Sequence, residues 1–457
     1  MKIKSVLYIL LMLVILSAGI GMVSASEDID DSAGDILSVR QDQITDEAIL
    51  EVSYDTPDKE ITNDISFKEN GSEKTLKNTN EKSLLGVSNE EDLLQQQIRK
   101  VSGNNFSDIK DVIDIADDGD IIDLGGKTYT NYTKLYAYTT EPVKSLTIIN
   151  GTLDAQNFNF TNMNQGSRFK NCTLEDITFI NFYSSTAYRF IWFYNCVLNN
   201  VHFNNFDVYQ DGISFVTSTI NNTNFTNMRG RFDNTSQGNY EGSAMIVSND
   251  NCTFDNCNFF NLSNKQHSGA ICVSGKTLNT ANITNCKFIN CSSGIGGALY
   301  IHGTNTTSSI YSNVINCSFI NCSASLYGGA IGTSQDYLNI ENCLFFNNTA
   351  TKGGAIMVGG LSKKLLDGND AQGHNDLINN CSFFYNTATE EGGAVHITGD
   401  NNSVIKSYFD DNFAKGGNGS AIYVHGENAS AHASFFYNHG CEKGTVYIEG
   451  NYSNVTD

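Results

Sequence analysis

Residues 316–333 read NCSFINCSASLYGGAIGT. Related strings stand at 285–301 (NCKFINCSSGIGGALYI), 342–358 (NCLFFNNTATKGGAIMV) and 380–397 (NCSFFYNTATEEGGAVHI). Each joins an Asn-Cys-x-Phe or related segment to a Gly-Gly-Ala-aliphatic segment. The Ala slot recurs at Ala244, Ala270, Ala298, Ala330, Ala355, Ala394 and Ala421, then as Thr445, at intervals of 26, 28, 32, 25, 39, 27 and 24. A repeat of this length marks a stacked architecture. The residue after the slot is always apolar (Met245, Ile271, Leu299, Ile331, Ile356, Val395, Ile422, Val446). The one between it and the next mostly aliphatic position varies (Ile246, Cys272, Tyr300, Gly332, Met357, His396, Tyr423, Tyr447). That is period two, one face in and one face out, so these segments are strands.

The Asn-Cys segment alternates likewise. Cys286/Phe288, Cys317/Phe319, Cys343/Phe345, Cys381/Phe383, Ser407/Phe409 and Ala433/Phe435 fill alternate positions. A third apolar slot lies three before the Cys, at Ile283, Val314, Ile340, Ile378 and Val404. Three short strands per coil with no helix between them predict an all-β, right-handed parallel β-helix of roughly eleven coils from about 145 to 457, each about 4.8 Å above the last. Two prolines in the chain, neither after Pro142, suit an uninterrupted hydrogen-bond ladder. Gly-Gly supplies a corner where a Cβ collides or φ is positive. Five after the Cys slot stand Asn348, Asn386, Asn412 and Asn438, or Cys291 and Cys322; an asparagine ladder is expected at that corner.

Upstream, Phe106, Ile109, Ile113 and Ala116 follow helical spacing with Ser107 as the expected N-cap. This helix, within residues 101–145, closes the open end of the stack, which has no neighbouring coil to cover it. Residues 1–25 read as a signal peptide: Lys2 and Lys4, an apolar run, then Val23-Ser24-Ala25. An uncleaved anchor is the alternative, and no other membrane contact is expected. Residues 26–100 carry 19 Asp/Glu against 8 Lys/Arg without hydrophobic period, the composition of a disordered acidic linker. A net charge of −22 argues against a nucleic-acid partner.

The pairing of Gly-Gly-Ala-Ile with Phe-x-x-Asn (Phe345 to Asn348, Phe383 to Asn386, Phe409 to Asn412, Phe435 to Asn438) resembles the repeats of polymorphic outer membrane proteins. The whole chain resembles an adhesin-like protein of methanogenic archaea. The resemblance implies an exported cell-surface or secreted protein that binds glycans or envelope polymers of neighbouring cells. A strictly anaerobic source, which it also implies, favours thiols.

Parallel β-helices also serve polysaccharide lyases and hydrolases, so an enzyme is the alternative reading, with a passive spacer as a third. Asp410-Asp411 is the nearest acidic pair, but adjacent strand residues face opposite ways. Outward acids do not cluster at coil spacing, so no catalytic centre, cofactor or metal is expected. The dispersed histidines give no metal pattern, and His374 in AQGHND lacks the second Gly of a Gly-His-Gly motif. The bore is filled by Phe, Ile, Val and Cys, so ligand contact falls to the outside. The candidates are the outward Tyr300, His396, Tyr423 and Tyr447, with the long 359–379 loop and its Lys363, Asp367, Asp370, His374 and Asn375. Some Asn-x-Ser/Thr sites suit glycan attachment, with Asn316 and Asn380 shielded beside buried strands. Cys286, Cys317, Cys343 and Cys381 share a slot that also takes Ser407 and Ala433, so they are expected to be reduced and stacked. Cys291 and Cys322 share a corner at a separation a disulfide could span.

Overall fold

The computed structural model describes residues 96–137, 144–186, 190–209, 211–231, 246–273, 280–302, 312–359, 373–432, 435–437 and 444–456. The signal peptide, nearly all of the acidic linker and most of the 359–379 loop, including Lys363, Asp367 and Asp370, lie outside them.

The chain from Ile98 onward winds as a parallel β-solenoid of about eleven turns with one short helix. All pairings between its strands are parallel, each strand bonded to its counterpart one coil away. One sheet of 12 strands carries the Gly-Gly-Ala segments, and a 29-stranded sheet carries the rest. The later coils hold four strands rather than the expected three. In one coil they are Leu377–Asn379, Ser382–Phe384, Thr387–Glu391 and Val395–Ile397. The additional strand follows the asparagine corner, and its inward slot takes Ala324, Ala350, Ala388 and Ala414, all buried. Alanine fits there because the chain turns toward the Gly-Gly corner at once.

The opening motif has a steric cause. Gly353 sits at φ +62, and a Cβ on Gly354 would lie 2.1 Å from the Gly393 carbonyl oxygen of the next coil. Neither position accommodates a side chain. Asparagine dominates the other corners: among the described residues, 23 of the 33 non-glycine residues at positive φ are Asn, the side chain that best tolerates that conformation. This accounts for much of the 57 Asn in the sequence. The Asn before each Cys belongs to this set, and Asn316 and Asn380 are exposed, not shielded. The Asn316 and Asn380 amides donate to Asn285 and Asn342 of the coil before.

The bore is a stack of rings. Phe179, Phe203, Phe225, Phe259, Phe288, Phe319, Phe345, Phe383 and Phe409 follow one another at centroid distances of 4.5–5.0 Å, almost coplanar. The next member is Phe436, not Phe435 as the spacing suggested. A second slip of one residue occurs at the 246 strand, where Ile246 rather than Met245 pairs with Ile271. A one-residue shift exchanges inward and outward faces. Cys257, Cys286, Cys317, Cys343 and Cys381 line the neighbouring corner on successive coils. All eleven described cysteines are buried and unbridged.

At the amino-terminal end the helix runs Phe106–Ile115, with N-cap Asn105 rather than Ser107. The Asn105 backbone N–H donates to Oδ2 of Asp108 at 2.8 Å. Starting two residues earlier puts Phe106 in the helix, and it is buried with Ile109, Ile113 and Ala116 in the solenoid core. Ile98–Lys100, within the stretch read as linker, pairs with Ile121–Asp123, and Arg99 is ion-paired to Asp120. Among the described residues no helix is long and apolar enough to cross a membrane.

Candidate functional site

The middle positions of the Gly-Gly-Ala strands point away from the bore, as their alternation requires. They are nevertheless covered: Tyr300 is 1 % exposed, His396 2 % and Tyr423 5 %, with Tyr447 half-buried. The cover is the turn before each Gly-Gly corner. Ile295, Tyr327, Lys352, Glu391 and Asn418 stand above one another on successive coils and lie against this column. Two columns thus meet at an angle along the solenoid.

The junction changes character along its length. In the middle coils it is apolar, with Cys272, Ile295, Tyr300 and Met357 in a small cluster against which Tyr327 packs. Gly332 leaves room there, since a Cβ would lie 2.9 Å from Ile295 Cγ2. Tyr300 is not part of the Tyr423–Tyr447 stack; its ring lies 4.9 Å from that of His267 and its hydroxyl 3.3 Å from His302 Nδ1.

Toward the carboxy-terminal coils the junction becomes charged. Lys352 Nζ donates to Glu391 Oε2 at 3.0 Å, His396 Nε2 lies 3.3 Å from the same oxygen, and Asn418 Nδ2 donates to Oε1 at 3.3 Å. His396 stacks on Tyr423 (4.6 Å) and Tyr423 on Tyr447 (5.6 Å). The Tyr423 hydroxyl donates to Glu449 Oε2 at 2.6 Å, and His425 Nδ1 lies 3.2 Å from that oxygen. Glu391 and Glu449, which belong to different columns, thus meet the His396–Tyr423 stack together with Lys352 and His425, a grouping not read from the sequence. Glu391 and Lys352 were missed because their column, the fourth strand, was not recognised.

The charged groups of the network are paired, while the buried His396 Nδ1 and Asn418 Oδ1 have no hydrogen-bond partner. The hydrogen bond from His396, then Lys352, holds the Glu391 carboxyl down at about 2 against its burial. Burial pushes the His396 imidazole below its usual range. Burial, then the Glu449 carboxylate, pushes the Tyr423 phenol up. The Tyr423 hydroxyl, then His425 and Tyr447, lower Glu449. Near neutral pH both carboxylates are ionised, the phenol keeps its proton and His396 is neutral. Such a set accepts hydrogen bonds through the half-exposed Glu449 and offers ring surface through Tyr447.

His374 and Asn375 are not part of this cluster. They hold the corner where the chain returns from the long loop: His374 Nδ1 accepts the Asp400 N–H (2.7 Å), the His374 N–H donates to Asp336 (2.8 Å), and Asn375 takes φ 61. Among the described residues no group of three or more His, Cys, Asp or Glu is placed to hold a metal ion.

No family model matches the sequence, and no curated protein matches it. Among solved structures the chain is similar to the Streptococcus pneumoniae surface protein and adhesin PfbA (TM-score 0.48, 13 % identity, 79 % of this chain and 100 % of that one). It is also similar to the A-module of the Azotobacter vinelandii mannuronan C-5 epimerase AlgE4 (0.38, 11 %, 76 % and 95 %). A PL6 alginate lyase in complex with a trisaccharide follows at 0.36 and 10 %, covering 79 % and 96 %. These likenesses do not distinguish a surface protein from a polysaccharide enzyme.

Proposed function

We propose that this chain is an exported, adhesin-like solenoid that binds glycans or envelope polymers of neighbouring cells along its side, with low affinity at each contact and many contacts in parallel. The apolar start of the sequence and the repeated Gly-Gly-Ala-Ile/Phe-x-x-Asn pairing, which resembles archaeal adhesin-like proteins, support export to the cell surface. One observation carries the binding reading: the Tyr423–Tyr447 stack ends in a half-exposed ring beside the ionised Glu449. Tyrosine offers a large contact area at low entropy cost and a carboxylate accepts sugar hydroxyls; because Tyr300, His396 and Tyr423 are covered, the parallel contacts that give avidity fall to this face and to the 359–379 loop. The 359–379 loop, with Lys363, Asp367 and Asp370, is proposed as a second contact on the strength of its length and polar residues alone.

The second reading is a polysaccharide-active enzyme, favoured by the convergence of Lys352, Glu391 and His396. Against it, Glu391 stays ionised, His396 neutral and Tyr423 protonated near neutral pH, away from the matched values that acid–base catalysis uses.

The test uses the purified chain against a panel of neutral and acidic glycans and whole cells. Binding by the parent, lost in a folded Tyr447→Ser/Glu449→Gln variant, supports adhesion. Equal binding by that variant removes this face from the reading, no binding at all favours a spacer, and release of shortened or unsaturated sugar products favours the enzyme.

A further inference from the structure

The amino-terminal coils of the same 12-stranded sheet carry a different surface. Strand Ser167–Lys170 (SRFK) pairs with Ile191–Tyr194 (IWFY), so that Arg168 stands beside Trp192 and Lys170 beside Tyr194. On the other side Arg168 pairs with Tyr136. Phe169 and Phe193 point into the bore and stack at 5.2 Å, which turns Arg168, Lys170, Trp192 and Tyr194 outward.

The outward side chains interleave charge and ring. The Lys134 ammonium sits 4.8 Å from the Tyr136 ring centroid, the Arg168 guanidinium 5.3 Å from that of Trp192, and the Lys170 ammonium 5.6 Å from that of Tyr194. Tyr194 is 47 % exposed, Lys134 is exposed, and Arg168, Lys170, Tyr136 and Trp192 are half-buried. Neither Lys134 nor Arg168 pairs with a carboxylate among the described residues, although the chain carries 50 acids against 28 bases. Among the described residues their charged ends rest on aromatic faces, which orient a cation without cancelling its charge.

We propose that this patch is a binding site for an acidic polysaccharide, a polymer bearing a carboxylate on successive sugars. The reading rests on polysaccharide binding as the protein's function but assigns a separate site and a ligand class. Trp192 and Tyr194 present flat, amphipathic faces on which the apolar side of a sugar ring lies. Arg168 offers a planar fork to a carboxylate, and Lys134 and Lys170 offer point charges on either side of it. The cations and rings occupy neighbouring coils about 4.8 Å apart, so an extended polymer running along the solenoid meets them in succession. A nucleic acid is disfavoured, since three cations on a chain of net charge −22 make a poor match to a continuous phosphate backbone.

Trp192 is the only tryptophan in the sequence, so its emission reports on this site alone. The full chain is titrated with oligogalacturonate, with a neutral oligoglucose of equal length and with a 20-nucleotide oligo-dT. The expected result is a saturable change in Trp192 emission with oligogalacturonate only. It weakens roughly tenfold or more in Lys134→Gln/Arg168→Gln and is diminished by added salt. Circular dichroism of that variant, whose changes lie on the outer face, confirms that it is folded. The Tyr447→Ser/Glu449→Gln variant is expected to keep the response, so failure here and failure at the carboxy-terminal face are separately visible. The proposal is overturned if oligogalacturonate produces no change, if the double Gln variant responds like the parent, if the neutral oligomer responds equally, or if oligo-dT responds as strongly.

Discussion

The Asn386 side-chain amide donates to Oδ1 of Asn412 at 2.9 Å, and both residues are fully buried. The same geometry links Asn348 to Asn386, and each amide also donates to a phenylalanine carbonyl of the preceding coil: Asn348 to Phe319, Asn386 to Phe345, Asn412 to Phe383. The Asn348 and Asn386 backbone N–H groups are satisfied by the next side-chain oxygen. The ladder thus closes a corner that the strands leave open.

Replacing Asn386 by Leu leaves the Asn348 N–H without an acceptor in a dry corner and removes one of the two acceptors of the Asn348 amide. A loss of about 2–3 kcal/mol is expected from the urea midpoint. Asn386→Cys should cost less, because Cys322 and Cys291 fill this slot in earlier coils. Equal losses for the two variants would show that the ladder bonds do not set the cost.

Glu391 links the acid stability of the fold to the charged junction. Its folded value of about 2 lies below the roughly 4.3 of an unfolded Glu. Between those values the unfolded chain binds more protons, so the contribution is present above about pH 4.3 and is lost as pH falls toward 2. His396, lowered by burial, adds a loss that begins as pH falls below about 6.5. The unfolding midpoint should therefore drop from pH 7 to pH 3, with a shallower acid limb in Glu391→Gln. Parallel profiles for parent and variant would contradict this.

Asp376 is a buried carboxyl whose Oδ1 accepts the Leu338 N–H at 2.8 Å while Oδ2 has no hydrogen-bond partner. Burial pushes its titration well above the usual range. The next coil holds Asn402 at the same corner, and the Asn402 Oδ1 accepts the Asp376 N–H. Asp376→Asn keeps the acceptor and removes the cost of a buried acid, so a gain of about 1–3 kcal/mol at pH 7 is expected. Because a raised acid loses stability as pH rises, the gain should shrink toward pH 4. A variant less stable than the parent at pH 7 would reverse the assignment.

The cysteines should resist alkylation in the native protein and react in denaturant without reductant. All eleven described thiols are buried, and burial raises Cys286, Cys291 and Cys343 well above the usual thiol range. Mass spectrometry showing any of Cys286, Cys317, Cys343 or Cys381 unalkylated after unfolding would point to a bridge.

The winding was legible because a solenoid repeats its environment. Phe319, Ile331 and Asn348 recur at coil spacing since each stacks on its equivalent, so pattern and contact coincide. Ile246 and Phe436 broke the reading by one residue, each beside a stretch where the repeat is irregular. The amino-terminal patch left a signal that the Gly-Gly-Ala count passed over. Arg168 and Lys170 flank Phe169 as Trp192 and Tyr194 flank Phe193, with no Gly-Gly-Ala to mark either strand.

By itself the sequence determined the parallel solenoid, its Phe bore, its asparagine corner and its amino-terminal helix. Those depend on alternation and on contact between like positions, and both are written in the order of residues. Only the tertiary structure decided that Tyr300, His396 and Tyr423 are covered, and that Lys352, Glu391 and Glu449 gather around them. Alternation says which side chains leave the bore. It does not say that the turn before each glycine corner folds back over them, because that depends on the path of the backbone between strands.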